Sequence, residues 1–376
     1  MITGLKKKML TALAIVIVLA FCGCGKKETD AGENGQIGEK FETGKEEVTD
    51  IKNGDLISRE ITGRVKLEAV VKLPEEGIAN VEECQVQQVK FDGESMRTTV
   101  FPELALEGWI YDEQYDSHYW RSKENKDNAV IGSIISYNKE RWYENRFCLP
   151  MREINGTYVV KDDEYTEELF FSSREEIAET AKTWLKERVG ITEVGIERIY
   201  SITHQEMKKT EEQQYVENGT AGVGKPGESF ELKTTWSEAD DFYMIFLTRV
   251  INGLPLLTGD YVRQDEVYLP NGRITLCYAE EGPINIDIPW DYKILGRKTA
   301  KLCPMEMVYE SLQRKFERTI TADVLIDEMQ LIYFPYPVDI EERVYDLIPA
   351  WKFSFSDYGM EKFVYINAID GIEIIE

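Results

Sequence analysis

From residue 55 onward the chain runs in alternating apolar and polar positions, broken by two stretches with helical spacing. In the first, Ser173 and Glu176 form a capping box, and Ile177, Ala181, Trp184, Leu185 and Val189 fall on one face. Gly190 stands where a C-terminal cap belongs. Pro304 opens the second, in which Met305, Val308, Tyr309, Leu312 and Phe316 share a face. Strand-like segments follow each helix. After the first come 191–202, 241–251 and 254–262, with Asn252-Gly253 between the last two as a type I′ hairpin signal, and a further pair flanks Pro270-Asn271-Gly272. After the second come 321–336, 343–356, 362–370 and 371–376. Helix followed by an antiparallel run therefore occurs twice.

Residues 55–163 fit the pattern less cleanly. Residues 63–74 and 84–93 alternate as strands, 99–109 reads as a short helix, and 129–148 reads as a hairpin or two strands. We read this region as a third, more divergent unit. The predicted fold class is α+β, with tandem helix-on-antiparallel-sheet modules: a β-rich module over 55–165, an α+β module over 166–282 and a C-terminal α+β module over 283–376.

The first 54 residues stand outside these modules. Lys6, Lys7 and Lys8 precede an apolar run from Met9 to Phe21 and then small residues and cysteine, which is the pattern of an export signal. As a helix the run spans only about 20 Å, short of a bilayer core of about 30 Å. Its end resembles the lipobox of bacterial lipoproteins, in which a cysteine after a small residue is diacylated and becomes the mature N-terminus. Gly23 before Cys24 fits that rule, although Phe21 and Cys22 stand where the pattern prefers an aliphatic and a small residue. Residues 1–23 thus read as a lipoprotein signal peptide and Cys24 as the lipidation site, against the alternatives of a non-lipidated signal or an uncleaved anchor. Two acyl chains hold a protein stably where one does so only marginally. The expected location is the outer face of the cytoplasmic membrane. Residues 24–54, rich in Gly, Glu, Lys and Thr, read as a flexible linker spanning about 30 Å.

Charge narrows the range of partners. The chain carries 69 acidic against 44 basic residues, a formal charge of -25, and loss of residues 1–23 takes it to -28. Nucleic acid and an anionic lipid surface are unfavourable partners for such a body. Cys84, Cys148, Cys277 and Cys303 lie too far apart for CxxC motifs. They allow three disulfide pairings in an oxidising location, or serve as single buried thiols, since a body of this size needs no staples.

Several motifs suggest chemistry that their surroundings do not support. Gly222-x-Gly224-x-x-Gly227 and Gly219-x-x-x-x-Gly224-Lys225 imitate a dinucleotide fingerprint and a P-loop. Both need a strand before and a helix after, and Pro226 replaces the magnesium-binding Ser or Thr, so no nucleotide is expected. Residues 206–239 read instead as a long mobile insertion. His118 and His204 lie in no HExxH, and a GxSxG elbow is absent. The acidic pairs Asp112-Glu113, Asp162-Asp163 and Asp240-Asp241 lack the D-x-D-x-D-G spacing of a calcium loop and follow from composition, as would a carboxylate pair for glycoside hydrolysis. No catalytic constellation, metal site or cofactor is predicted. The aromatic-rich stretch from Trp109 to Phe147, with Trp120, Trp142 and Tyr143, is the best candidate for a recognition surface, because such rings stack on sugars or anchor protein interfaces.

Two segments carry a family resemblance. Arg249-Val-Ile-Asn-Gly-Leu-Pro-Leu256, followed by strand, turn and strand, resembles the repeated hairpin of PepSY-like exported domains. Leu347-Ile-Pro-Ala-Trp351 with Val364 to Glu373 is similar to the ending of PepSY-like and YycH/YycI-type regulatory proteins, and the likeness covers about residues 172–376. The chain as a whole also looks like uncharacterised lipoproteins of Gram-positive anaerobes. The resemblance implies small helix-on-sheet modules outside the membrane that regulate peptidases or sensor kinases. From the residues alone, Asn367 and Asp370-Gly371 supply turn chemistry and Trp351 packs in a core.

The expected function is a non-catalytic, membrane-tethered module that meets a protein or peptide of the membrane or wall, with exposed sheet edges available for strand addition. The alternative is a cell-wall or glycan binder or hydrolase working through the 109–147 stretch.

Overall fold

The computed structural model describes residues 51–376 except 75–76, 79, 102–105, 113–116, 123–127, 140–163, 219–234, 259–262, 265–266, 320–321, 358–359 and 375–376. In chain order the first elements are β1 (Leu56–Thr62), β2 (Val65–Lys72), β3 (Glu82–Val89), α1 (Gly93–Val100), β4 (Leu106–Asp112), β5 (Ser117–Ser122), β6 (Asn128–Ile131) and β7 (Ile135–Asn138). The middle holds α2 (Arg174–Trp184), β8 (Val194–Ile202), α3 (His204–Asn218), β9 (Phe242–Ile251), β10 (Leu254–Pro255), β11 (Arg263–Gln264), β12 (Val267–Tyr268), β13 (Arg273–Ala279) and β14 (Gly282–Ile288). The last part holds β15 (Asp291–Thr299), α4 (Met305–Thr319), β16 (Val324–Asp339), β17 (Val344–Asp357) and β18 (Met360–Asn367).

Two large sheets take up these strands except β11 and β12, which pair with each other, and neither large sheet follows chain order. One runs β1-β2-β16-β17-β3-β15 with β18 beside β17; the other runs β10-β9-β13-β14-β7-β6-β5-β4 with β8 beside β9. All pairings in the two sheets are antiparallel except that of β2 with β16, where Val65 opposes Val324 and Lys72 opposes Gln330.

This overturns the expected tandem helix-on-sheet modules. Among its described residues the region 55–165 forms no sheet of its own: β1 to β3 complete the sheet of the C-terminal strands, while β4 to β7 complete that of the middle strands. Alternation along a strand reports which face is buried, but not which strand supplies its hydrogen-bonding neighbour.

Each sheet nonetheless lays a helix on one face, as the helical periodicities required. Met305, Val308, Tyr309, Leu312 and Phe316 of α4 are buried against Leu67, Val71, Trp351 and Phe353 of the first sheet. On the second sheet, Ile177, Ala181 and Leu185 of α2 and its continuation pack with Ile131, Ile135, Ile245 and Ile286. The Ser173–Glu176 capping box forms, and Gly190 ends the helix at φ 84° after a π-helical turn over Leu185–Val189. The opposite faces carry smaller cores, one around Tyr200, Met207, Phe246 and Cys277 and the other around Leu257, Ile332, Phe334 and Tyr365.

Three local expectations change. Part of the expected insertion 206–239 is the helix α3, which periodicity missed because it has no apolar stripe: within it Met207 and Glu211 are the buried residues among those whose side chains are described. The helix expected over 99–109 lies earlier, at α1, where Asp92 accepts from Ser95 N–H as the cap, and 106–112 is strand. The pair flanking Pro270-Asn271-Gly272 is no hairpin, since β12 pairs with β11 while β13 pairs with β9 and β14.

The hairpin of the Arg249–Leu256 segment joins the two sheets. Asn252 (φ 49°) and Gly253 (φ 79°) both take left-handed backbone, as a type I′ turn requires. A side chain at Gly253 would place its Cβ 2.9 Å from that of Pro74. Beyond the turn, Leu257 N–H donates to the Tyr333 carbonyl at 2.8 Å, so the chain passes from the second sheet to the free upper part of β16 in the first.

Candidate functional site

Beside this junction lies an open cleft of about 800 Å³. Pro74, Val81, Val194 and Val250 give it apolar walls, and Asn80, Glu82, Thr192, Glu193, Asn252 and Arg297 line it with polar groups. The Arg297 guanidinium donates to Asn252 Oδ1 at 2.9 Å and to Glu82 Oε2 at 3.2 Å, and Asn252 Nδ2 donates to the same carboxylate oxygen at 2.5 Å. A turn residue of the second sheet is thereby locked to β3 and β15 of the first. Alongside, Arg249 pairs with Asp291 at 2.6 Å and lies over the Tyr292 ring at 4.6 Å. Burial pushes the Tyr292 hydroxyl up to about 12.

β15 borders the cleft as a sheet edge. It pairs with β3 and with no other described strand, and seven of its nine residues are exposed. Ala300 N–H donates to the Val81 carbonyl at 2.9 Å. Alternation then turns the backbone groups of Lys298 toward β3 and those of Arg297 and Thr299 outward. A bulge between Ile294 and Gly296, together with Lys293 and Lys298, breaks the flatness of the edge.

A second concentration of charge joins Glu197 of β8 and Arg273 of β13, both partly buried on the second sheet, to the buried Lys352 of β17 in the first. Arg273 holds Glu197 through paired hydrogen bonds of 2.6 and 3.1 Å and covers the Phe246 ring at 4.8 Å. Burial pushes the Glu197 carboxyl up, but Arg273, aided by Lys352 and Arg198, holds it below the ordinary range. Lys352 on β17 is 7% exposed, with its ammonium 4.2 Å from the centre of the Phe363 ring. Burial lowers its pKa against the opposing pull of Glu197, Glu328 and Glu361, while Arg273 adds to the lowering.

This arrangement sets a pH dependence. Between the depressed folded value and the ordinary value near 10.5, the unfolded chain binds a proton at Lys352 that the folded chain does not, so stability rises with pH through that window. Lys352→Met should flatten this rise in urea titrations carried up toward pH 10.5. An unchanged slope would contradict the assignment.

The residues singled out in the sequence lie elsewhere. Cys24, Trp142, Tyr143, Cys148, Asp162-Asp163 and the glycine-rich segment fall outside the described residues, and for Trp109 only the backbone, in β4, is described. Trp120 is 2% exposed and stacks with His118 at 5.7 Å between centroids, so its ring offers no open face. His204 starts α3, and both its backbone N–H and its Nδ1 meet Asp241 Oδ1, at 2.5 and 2.7 Å. Asp240 caps the backbone of Ser237. Asp241 thus serves a helix start and Asp240 a turn. Cys84, Cys277 and Cys303 are buried, and burial pushes the Cys84 and Cys303 thiols up. Among the described residues no group of three or more His, Cys, Asp or Glu stands close enough to hold a metal ion, and no helix is long and apolar enough to cross a membrane.

Sequence reasoning missed Asn80, Thr192, Glu193 and Arg297. Only the Asn252-Gly253 turn, whose Asn side chain anchors Arg297, was visible in advance.

No protein-family model and no curated protein matches the chain. A solved structure, that of an uncharacterized protein from Eubacterium rectale, is similar in fold, with a TM-score of 0.61 and 14% sequence identity over 88% of this chain and 96% of that one. The likeness concerns the fold alone.

Proposed function

We propose that the protein is a non-catalytic, extracytoplasmic binding protein, held to the membrane by lipid on Cys24, that takes an extended segment of a protein partner along β15 and into the adjoining cleft. The observation that carries this reading is the edge itself. Arg297 and Thr299 present backbone donors and acceptors away from β3, and the Arg297 side chain reaches the cleft. Main-chain hydrogen bonds of an added strand supply affinity, and side-chain sites beside it supply selectivity. In the cleft the Val81, Val194 and Val250 walls suit an apolar side chain of the guest, and Glu193 suits a cationic one. The -25 charge of the chain favours a partner segment of basic character.

The test is a random decapeptide display against the full chain, followed by affinity measurements on a selected peptide. Thr299→Pro removes one outward N–H and leaves the pairing with β3 intact, since proline is tolerated at sheet edges. It should weaken binding at least tenfold while Thr299→Ala changes it little. Equal binding by wild type and Thr299→Pro would refute strand addition at this edge.

A further inference from the structure

The β16–β17 hairpin ends in a second exposed feature, remote in sequence from the cleft residues. Tyr336, Val338 and Ile340 are 45%, 53% and 55% exposed, on alternate positions of the chain. Tyr336 continues the face that holds Ile332 and Phe334 in the core, and Ile348, across the hairpin, is only partly buried. A run of large apolar side chains thus emerges from the sheet into solvent.

The tip is held rigidly. Gln88 N–H donates to the Arg343 carbonyl and the Gln87 side chain to the Glu342 carbonyl, both at 3.0 Å. Glu342 N–H donates to Asp339 Oδ1 at 3.0 Å, closing the turn, and Arg343 (φ 54°) donates to Ser133 Oγ at 2.9 Å. Rigid presentation reduces the ordering cost of association. Folding does not require these side chains to be apolar, because their exposed surface gains nothing from burial in the protein itself.

The surrounding charge defines the partner. Asp339, Glu341 and Glu342 are exposed on the tip, and Asp346 lies opposite Tyr336. Arg343, a cation on the tip, reaches toward Ser133. We infer that the Tyr336–Ile340 tip is a docking surface for a protein partner that presents an apolar pocket rimmed by lysine or arginine. A second copy of this acidic chain, an anionic lipid surface and a polyanionic wall polymer would each meet like charge there.

The test uses the full chain and three probes: an amphipathic peptide of leucine and lysine, its leucine and glutamate counterpart, and vesicles containing anionic lipid. The leucine–lysine peptide should bind with an affinity that falls with salt. Binding should weaken at least tenfold in Tyr336→Ser/Val338→Ser/Ile340→Ser and comparably in Asp339→Asn/Glu341→Gln/Glu342→Gln. Removing three acids elsewhere, by Glu175→Gln/Glu187→Gln/Glu310→Gln, should leave it within twofold, which separates docking at the tip from attraction to the whole acidic body. The substituted side chains are exposed, and an unchanged Tm confirms that the variants fold. Equal losses in the tip and control variants would overturn the inference. So would tighter binding of the glutamate peptide, binding to the vesicles that the serine variant loses, or a concentration-dependent dimer that the serine variant abolishes. Failure of the β15 reading leaves these results unaffected, because Thr299→Pro does not touch the tip.

Discussion

A chain carrying residues 166–376 alone should fail to fold cooperatively, although it contains both helix-plus-strand units visible in the sequence. Without residues 55–138, β16 loses its parallel neighbour β2, and β15 loses β3, its partner in the sheet. The first core loses Leu67, Val71 and Val86, and the second loses Ile131 and Ile135, all 0% exposed. Each such side chain contributes about 1.5–3 kcal/mol on burial. Five together reach the order of a whole domain's stability, about 5–15 kcal/mol. The measurement is thermal unfolding of the fragment followed by near-ultraviolet circular dichroism, with the full chain as reference. A sharp native-like transition in the fragment would restore the tandem-module picture.

Trp351→Ala is the single substitution with the largest expected cost. The indole is 0% exposed within the core that α4 covers, next to Phe353 and Ile366. Truncating such a ring costs about 3–5 kcal/mol. The expected fall in Tm is on the order of 10 °C. Trp120→Ala should behave similarly, because that ring too is enclosed, at 2% exposure. A loss of any glycan binding in Trp120→Ala would therefore report a damaged core rather than a lost sugar contact. A Tm for Trp351→Ala within 2 °C of the wild type would contradict the placement of this core.

The contrast between these two predictions shows what was legible in the sequence. Local rules held where their cause is local. The Ser173–Glu176 box caps α2, Asn252-Gly253 takes the two positive φ values of its turn, and Asn367 and Asp370 accept from Ile369 and Ile372 N–H to close the last one. The apolar face of α4 is buried as its spacing demands. What failed was assembly. Val65–Lys72 alternates as cleanly as any strand, but nothing in its own residues names β16 as its neighbour. Helix α3 escaped because Met207 and the buried Glu211, which takes a hydrogen bond from Trp236 at 3.2 Å, make no apolar stripe. The cleft was invisible for the same reason as the sheets: Glu82, Glu193, Asn252 and Arg297 come from four separate segments, and each reads alone as a surface residue.

The proposed role depends on which way the backbone of β15 faces, and amide hydrogen exchange on the full chain reports that directly. In the free protein the amides of Lys298 and Ala300 should exchange slowly and those of Arg297 and Thr299 fast, because the first pair faces β3 and the second faces solvent. Adding the selected peptide should slow Arg297 and Thr299 by at least tenfold and leave Lys298 and Ala300 unchanged. A bound peptide that leaves Arg297 and Thr299 exchanging at their free rates would contradict strand addition at β15.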